Sequence, residues 1–139
     1  MRQILVDANV LASFLNDRNR AQQKQADELL QRAVGGEHVV VLHSITIVEL
    51  VFVMTQLYER EPAEVAQAVT DLLALPGVAI ASDVSWSLVL ERWPQDIPSF
   101  GDAILATAAI QGRYDAVATF DIRLRRKLRK QGTPSYWSA

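Results

Sequence analysis

The sequence contains no cysteine. Disulfides and thiolate metal sites are thereby excluded, and nothing in residue usage argues for an oxidising compartment. Histidine occurs only twice, as His38 and His43. Neither stands in a metal-binding pattern, and both read as structural. No apolar stretch is long enough to span a bilayer; the longest, around residues 45–54, carries Glu49. The N-terminal apolar run Ile4-Leu5-Val6 meets Asp7 before it reaches the length of a signal-peptide core. A cytoplasmic protein without a membrane partner is expected. There is no Gly-rich phosphate loop, no Ser-His-Asp or Cys-His pairing, no internal repeat and no linker. The 139 residues are therefore expected to form a single domain, 1–139, long enough to bury its own core.

Half of the residues are apolar and 22% are charged, the composition of a globular domain. The net charge of −2 hides an asymmetry. Six of the 14 basic residues (Arg123, Arg125, Arg126, Lys127, Arg129 and Lys130) lie within residues 123–130, which hold no acid. The rest of the chain has eight basic against 16 acidic residues. It is an acidic body with one basic segment.

Short β-branched or apolar runs alternate with helical patterns. Strands are expected at Ile4 to Val6, Val39 to Leu42, Val78 to Ala81 and Ala116 to Thr119, with Tyr136-Trp137 as a last short strand. Between them, Asn9 opens a short helix, and residues 20–34 repeat apolar positions at helical spacing up to Gly35-Gly36. Ser44 caps a helix running through Glu49 to about Tyr58, and Pro62 starts one ending near Leu75. Asp83 caps a helix that stops before Pro94. Asp102 opens an Ala-rich helix that ends near Gly112, and a basic helix follows Asp121. This alternation predicts an α/β fold: a three-layer sandwich with a mainly parallel, short-stranded central sheet flanked by helices.

Four acids stand out by their surroundings. Asp7 closes an apolar strand, at the sheet edge where open α/β sheets bind ligands; it also suits a helix cap. Glu49 lies in Ile45-Thr46-Ile47-Val48-Glu49-Leu50-Val51-Phe52-Val53 with no basic neighbour. Facing inward it needs a cation or a proton; at the helix edge it needs neither. Asp102 and Asp121 also suit caps, one for a buried helix and one for the basic helix. Together the four come from separate segments whose strands, if parallel, end on one edge. Crowded carboxylates repel and do not all stay ionised without a cation. Oxygen-only ligation favours Mg²⁺ or Mn²⁺ over Zn²⁺, one ion or two, and such ions support in-line attack on a phosphodiester.

The motifs carrying these acids resemble those of PIN-domain ribonucleases, specifically the VapC-type toxins of toxin–antitoxin pairs. Ile4-Leu5-Val6-Asp7-Ala8-Asn9-Val10 is similar to the opening motif, Thr46-Ile47-Val48-Glu49-Leu50 to the second, Phe100-Gly101-Asp102-Ala103-Ile104-Leu105-Ala106 to the third and Thr119-Phe120-Asp121 to the fourth. The resemblance spans essentially the whole chain. It implies metal-dependent RNA cleavage, with Asp7 and Asp102 as principal ligands. Glu49 and Asp121 would complete the cluster, and Asn9, Ser99 and Thr119 would be supporting polar groups. Many relatives carry a further Asp where Ser99 stands, so a first ion is better provided for than a second. The resemblance also implies a homodimer and a cognate antitoxin that covers the acidic site.

The basic helix suits RNA-phosphate contact through Arg123, Arg125, Arg126, Lys127 and Arg129, while Leu124 and Leu128 pack it down. Arg2, Arg92 and Arg113 read as surface charges. Trp86, Leu90 and Trp93 share a helical face and read as packing or as a dimer contact. Two rival functions stand beside the nuclease: a non-catalytic RNA-binding module, and a small-molecule phosphatase on a similar frame.

Overall fold

Local sequence sets the element boundaries in a computed structural model of the chain, which describes residues 1–137. Four strands, β1 (Arg2–Val6), β2 (His38–His43), β3 (Val78–Ala81) and β4 (Ala116–Ala118), form one sheet in the order β3-β2-β1-β4. Every neighbouring pair is parallel. The helices are α1 (Ala8–Phe14), α2 (Arg20–Val34), α3 (Ser44–Phe52), α4 (Pro62–Leu73), α5 (Trp86–Arg92), α6 (Phe100–Gln111) and α7 (Ile122–Lys130).

Alternation along the strands divides the core in two. Ile4, Val6, Val40, Leu42, Ala116 and Ala118 face α1 to α4 and pack on Val10, Leu11, Leu29, Leu30, Leu50 and Leu72. Leu5, Val41 and Val117 face α5 to α7 and pack on Val89, Ile104, Leu105, Leu124 and Leu128. Helices therefore cover both faces, giving the three-layer α/β sandwich with an all-parallel sheet. Each fully buried Leu, Ile or Val in these layers contributes roughly 1.5–3 kcal/mol. No helix among the described residues is long and apolar enough to cross a membrane.

Several boundaries differ from the sequence reading, each for a local reason. His43, not Ser44, caps α3: its Nδ1 accepts from Ile45 N at 3.2 Å, and its Nε2 lies 3.2 Å from Asp83 O. Ser85, not Asp83, caps α5. The helix expected to reach Tyr58 widens after Phe52 into a π-helical turn, Val53–Leu57, with Tyr58 N donating to Val53 O at 3.0 Å. Tyr136 and Trp137 form no strand. Among the described residues after α7, a single isolated bridge joins Ser135 to Val117 of β4, while Trp137 stacks on Phe120. Trp86 and Leu90 are more than half exposed, because α5 is two turns long and turns Val89 inward.

Candidate metal centre and nucleic-acid groove

The sheet order places β1 between β2 and β4, so the chain leaves its carboxyl end in opposite directions on the two sides. That topological switch point is the crevice where open α/β sheets bind ligands. Asp7 ends β1 there. Register pairs Val6 with Ala118, so Thr119 lies beside Asp7 and Asp121 follows two residues on.

Asp7 is buried, at 7% exposure. Its Oδ1 accepts from Ala8 N at 2.8 Å, which caps α1; its Oδ2 accepts from Thr119 Oγ1 at 2.7 Å and from Asn9 Nδ2 at 3.1 Å. Asn9 does not open the helix; it lies in the first turn of α1 and ties that turn to β4, with Phe120 N donating to its Oδ1 at 3.2 Å. Thr119, fully buried, also accepts from Asp121 N at 3.1 Å. Asp121 caps α7 with Oδ1, which accepts from Arg123 N and Leu124 N at 2.9 and 3.2 Å.

Asp102 is not a cap. Ser99 takes that role, its Oγ accepting from Asp102 N at 3.3 Å, so α6 starts at Phe100 and Asp102 sits within its first turn. Glu49 reaches the same place from α3. Thr46, one turn earlier on the same face, donates to Val6 O at 3.3 Å and pins α3 to the end of β1. The Glu49 carboxylate lies against Gly101: a Cβ built there would stand 2.6 Å from Glu49 Oε1. The glycine therefore opens the space in which Glu49 approaches α6. The sequence reading missed this role. Its only signal was a glycine inside a helix directly before an acid.

The four carboxylates act on one another. Burial, and then the charges of Asp7 and Asp102, push Glu49 up to about 7. Burial, followed by Asp7 and Asp121, pushes Asp102 up to about 6, against the opposing hydrogen bond with Ser99. Burial raises Asp7, and Asp121 adds to it, against the hydrogen bonds from Thr119 and Ala8. Among the described residues no Lys or Arg side-chain nitrogen lies within 4.0 Å of any of the four.

The donor set fits a hard divalent ion. It is all oxygen, it is mutually repulsive, and it lacks a cationic partner. Among the described residues no three acids or histidines stand close enough together to hold an ion by themselves.

A groove of about 590 Å³ adjoins the acids. Asp102 and Asp121 line it together with Arg123, Arg126, Lys127 and Lys130 of α7. Arg125 turns the other way, its Nε donating to Thr119 O at 2.8 Å, so it braces the strand end that carries Asp121. Arg129 is exposed and does not line the groove. Arg92, read from the sequence as a surface charge, is partly buried and donates to Gln131 Oε1.

The fold and site together are a parallel α/β sandwich with acids at its switch point beside a basic helix. A model of the PIN domain matches residues 4–130, and the chain belongs to that family. No curated protein shows significant similarity to the sequence. Among solved structures the chain is similar to VapC20 of Mycobacterium tuberculosis, described as a sarcin-ricin-loop-cleaving toxin. The TM-score is 0.65 at 18% identity, covering 88% of this chain and 93% of that one. It is also similar to VapBC2 from Rickettsia felis, bound to a DNA fragment from their promoter. There the TM-score is 0.66 at 12% identity, covering 98% and 99%. At these identities the likeness is one of fold.

Proposed function

We propose that the chain is a Mg²⁺- or Mn²⁺-dependent endoribonuclease and the toxin of a toxin–antitoxin pair. The observation that carries the reading is the set of four carboxylates on one sheet edge, with Asp7, Glu49 and Asp102 raised by burial and then by the charge of their acidic neighbours, without a side-chain cation among the described residues, next to a basic groove. Membership of the PIN family and the fold likeness to two toxin-system structures support it.

When bound, such an ion polarises a phosphodiester and lowers the pKa of a water. Asp7 and Asp102 would hold it. Thr119 and Asn9 fix the Asp7 carboxylate in one orientation. Glu49 and Asp121 would orient the attacking water or take part in a second site, and Glu49 can hold a proton at neutral pH in the metal-free protein. Arg123, Arg126 and Lys127 would neutralise backbone phosphates along the groove.

A cognate antitoxin would cover the acidic edge with a basic or aromatic side chain. The exposed Trp86, Leu88 and Leu90 of α5 are the surface on which we place the homodimer contact. Without cysteine, and without a membrane-crossing helix among the described residues, the chain suits the cytoplasm.

Asp7→Asn tests the assignment. It should abolish RNA cleavage and leave the fold, read by circular dichroism, intact. Cleavage unaffected by that change sinks the assignment. RNA binding by the wild type with no metal-dependent product would instead favour the non-catalytic module.

A further inference from the structure

Beyond the groove beside the acids, α7 carries a second recess on its flank. It has a volume of about 260 Å³ and is lined by Arg92, Asp96, Ile97, Lys127, Lys130 and Gln131. Asp96, Ile97, Lys127 and Lys130 line the first groove as well, so the two form one continuous track. Three cations face one acid in the recess, in a protein whose body is otherwise acidic.

Arg92 is held there rather than loosely displayed. It donates through Nη1 to Gln131 Oε1, and the Gln131 amide donates in turn to Ala106 O at 3.0 Å and Thr133 Oγ1 at 2.9 Å. This chain runs from α5 through the end of α7 to α6. It leaves the remaining N–H groups of the guanidinium free for a planar, bidentate partner. No carboxylate pairs with Arg92 among the described residues, Asp96 included. A lysine at this position would offer a point charge but not the same fork.

The spacing of the cations suits a chain rather than a single anion. Arg123, Lys127 and Lys130 fall four and three residues apart, one stripe along α7. Between the first and the last the helix rises about 10 Å. The stripe begins beside Asp121 and ends at Arg92. A polyanion entering at the acids would follow it past Lys127 and Lys130 into the recess.

We propose that the Arg92 recess is a phosphate subsite for single-stranded RNA, binding the backbone beyond the scissile phosphodiester, with Arg92 as its fixed guanidinium. The inference rests on the nuclease reading for the direction of the strand. It does not rest on that reading for the existence of the site. Arg92 is a positioning residue: it registers the strand in the groove and does not reach the reacting atoms.

The test uses the full chain in two arms. In the first, binding of fluorescent oligoribonucleotides of increasing length to Asp7→Asn protein is measured over a range of salt. Adding Arg92→Gln should weaken binding of the longer oligomers several-fold and make the slope of log K against log salt shallower by about 0.7, one phosphate contact on a single strand. Arg92→Lys should restore the slope but only part of the affinity. In the second arm, with the catalytic acids intact, Arg92→Gln should raise KM for long RNA more than for short RNA.

An unchanged slope overturns the subsite. So does a loss that is the same at every length and accompanied by a lower melting temperature, since that marks a packing role. If the wild type binds RNA but never cleaves it, the nuclease reading fails while a length-dependent Arg92 effect keeps the subsite. If the wild type cleaves and Arg92→Gln binds and cleaves as the parent does, the subsite alone fails.

Discussion

Thr119 donates its hydroxyl proton to Asp7 Oδ2 at 2.7 Å, joining the ends of two adjacent parallel strands across 112 positions of sequence. An ionised carboxylate has about four acceptor directions. Ala8, Asn9 and Thr119 occupy three of them at Asp7. One direction is left for a cation, and the three hydrogen bonds fix where it points. Thr119→Val keeps the shape and removes the donor. Partners of this kind typically change metal affinity or activity by about 10–100-fold. Calorimetric titration with Mn²⁺ should show a loss of that order, and Thr119→Ser should recover most of it. Unchanged affinity in the valine variant would mean that Thr119 only fills space.

Gly101 yields a prediction of opposite sign for stability and activity. A Cβ there would stand 2.6 Å from Glu49 Oε1 and 2.9 Å from its Cδ. The obstacle is the end of a flexible side chain, so Glu49 can swing aside. An alanine inside a helix is worth about 0.5–1 kcal/mol over glycine. Gly101→Ala should therefore melt at the same temperature or slightly higher, yet cleave RNA at least about tenfold more slowly, the lower end of what displaced supporting groups cost. Parallel melting curves and cleavage rates check it; full activity would show that Glu49 does not need its place against α6.

How far the site could be read from sequence depends on what each residue's neighbours reveal. The three-layer architecture was legible because buried strands alternate with helical spacing, and the four acids were legible because each interrupts apolar sequence. The capping chemistry was not. Asp102 and Ser99 are both good caps, and only the start of α6 at Phe100 shows that serine caps and leaves the aspartate free. The basic helix was legible as a charge block but not residue by residue. One turn sends Arg125 to the Thr119 carbonyl and Arg126 into the groove, a difference that composition does not carry. Arg92 looked ordinary because its partner Gln131 lies 39 residues away.

The raised carboxyls predict an inverted pH dependence for the metal-free protein. Glu49 is raised from 4.5 to about 7 and Asp102 from 3.8 to about 6, in each case chiefly by burial. A carboxyl raised on folding holds a proton that the unfolded chain has released. Its stabilisation is complete below the unfolded value and is lost as pH rises through the folded one. Without metal, melting temperature should therefore fall between roughly pH 5 and pH 7.5. Glu49→Gln should flatten the upper part of that fall, because it removes the higher of the two titrations. Mn²⁺ should raise the melting temperature more at the alkaline end, where the acids are ionised and bind only the native state. A metal-free melting temperature that rises over this window in wild type and Glu49→Gln alike would contradict the crowding of these acids.

Arg125 and Arg126, which follow the buried Leu124 on α7, separate bracing from binding. Arg126 lines the groove, whereas Arg125 gives its Nε to the carbonyl of Thr119, the residue that also holds Asp7. Arg126→Gln should weaken RNA binding and make its salt dependence shallower by about 0.7 in log–log slope, the signature of one lost single-strand phosphate contact. Arg125→Gln should instead loosen the β4 end, lowering Mn²⁺ affinity along with cleavage and leaving most of the salt slope in place. Arg129, exposed and away from the groove, serves as the comparison of equal charge. If Arg129→Gln and Arg126→Gln change the salt slope equally, α7 acts through its net charge alone. A larger effect at Arg126 means that the backbone of the RNA follows the groove.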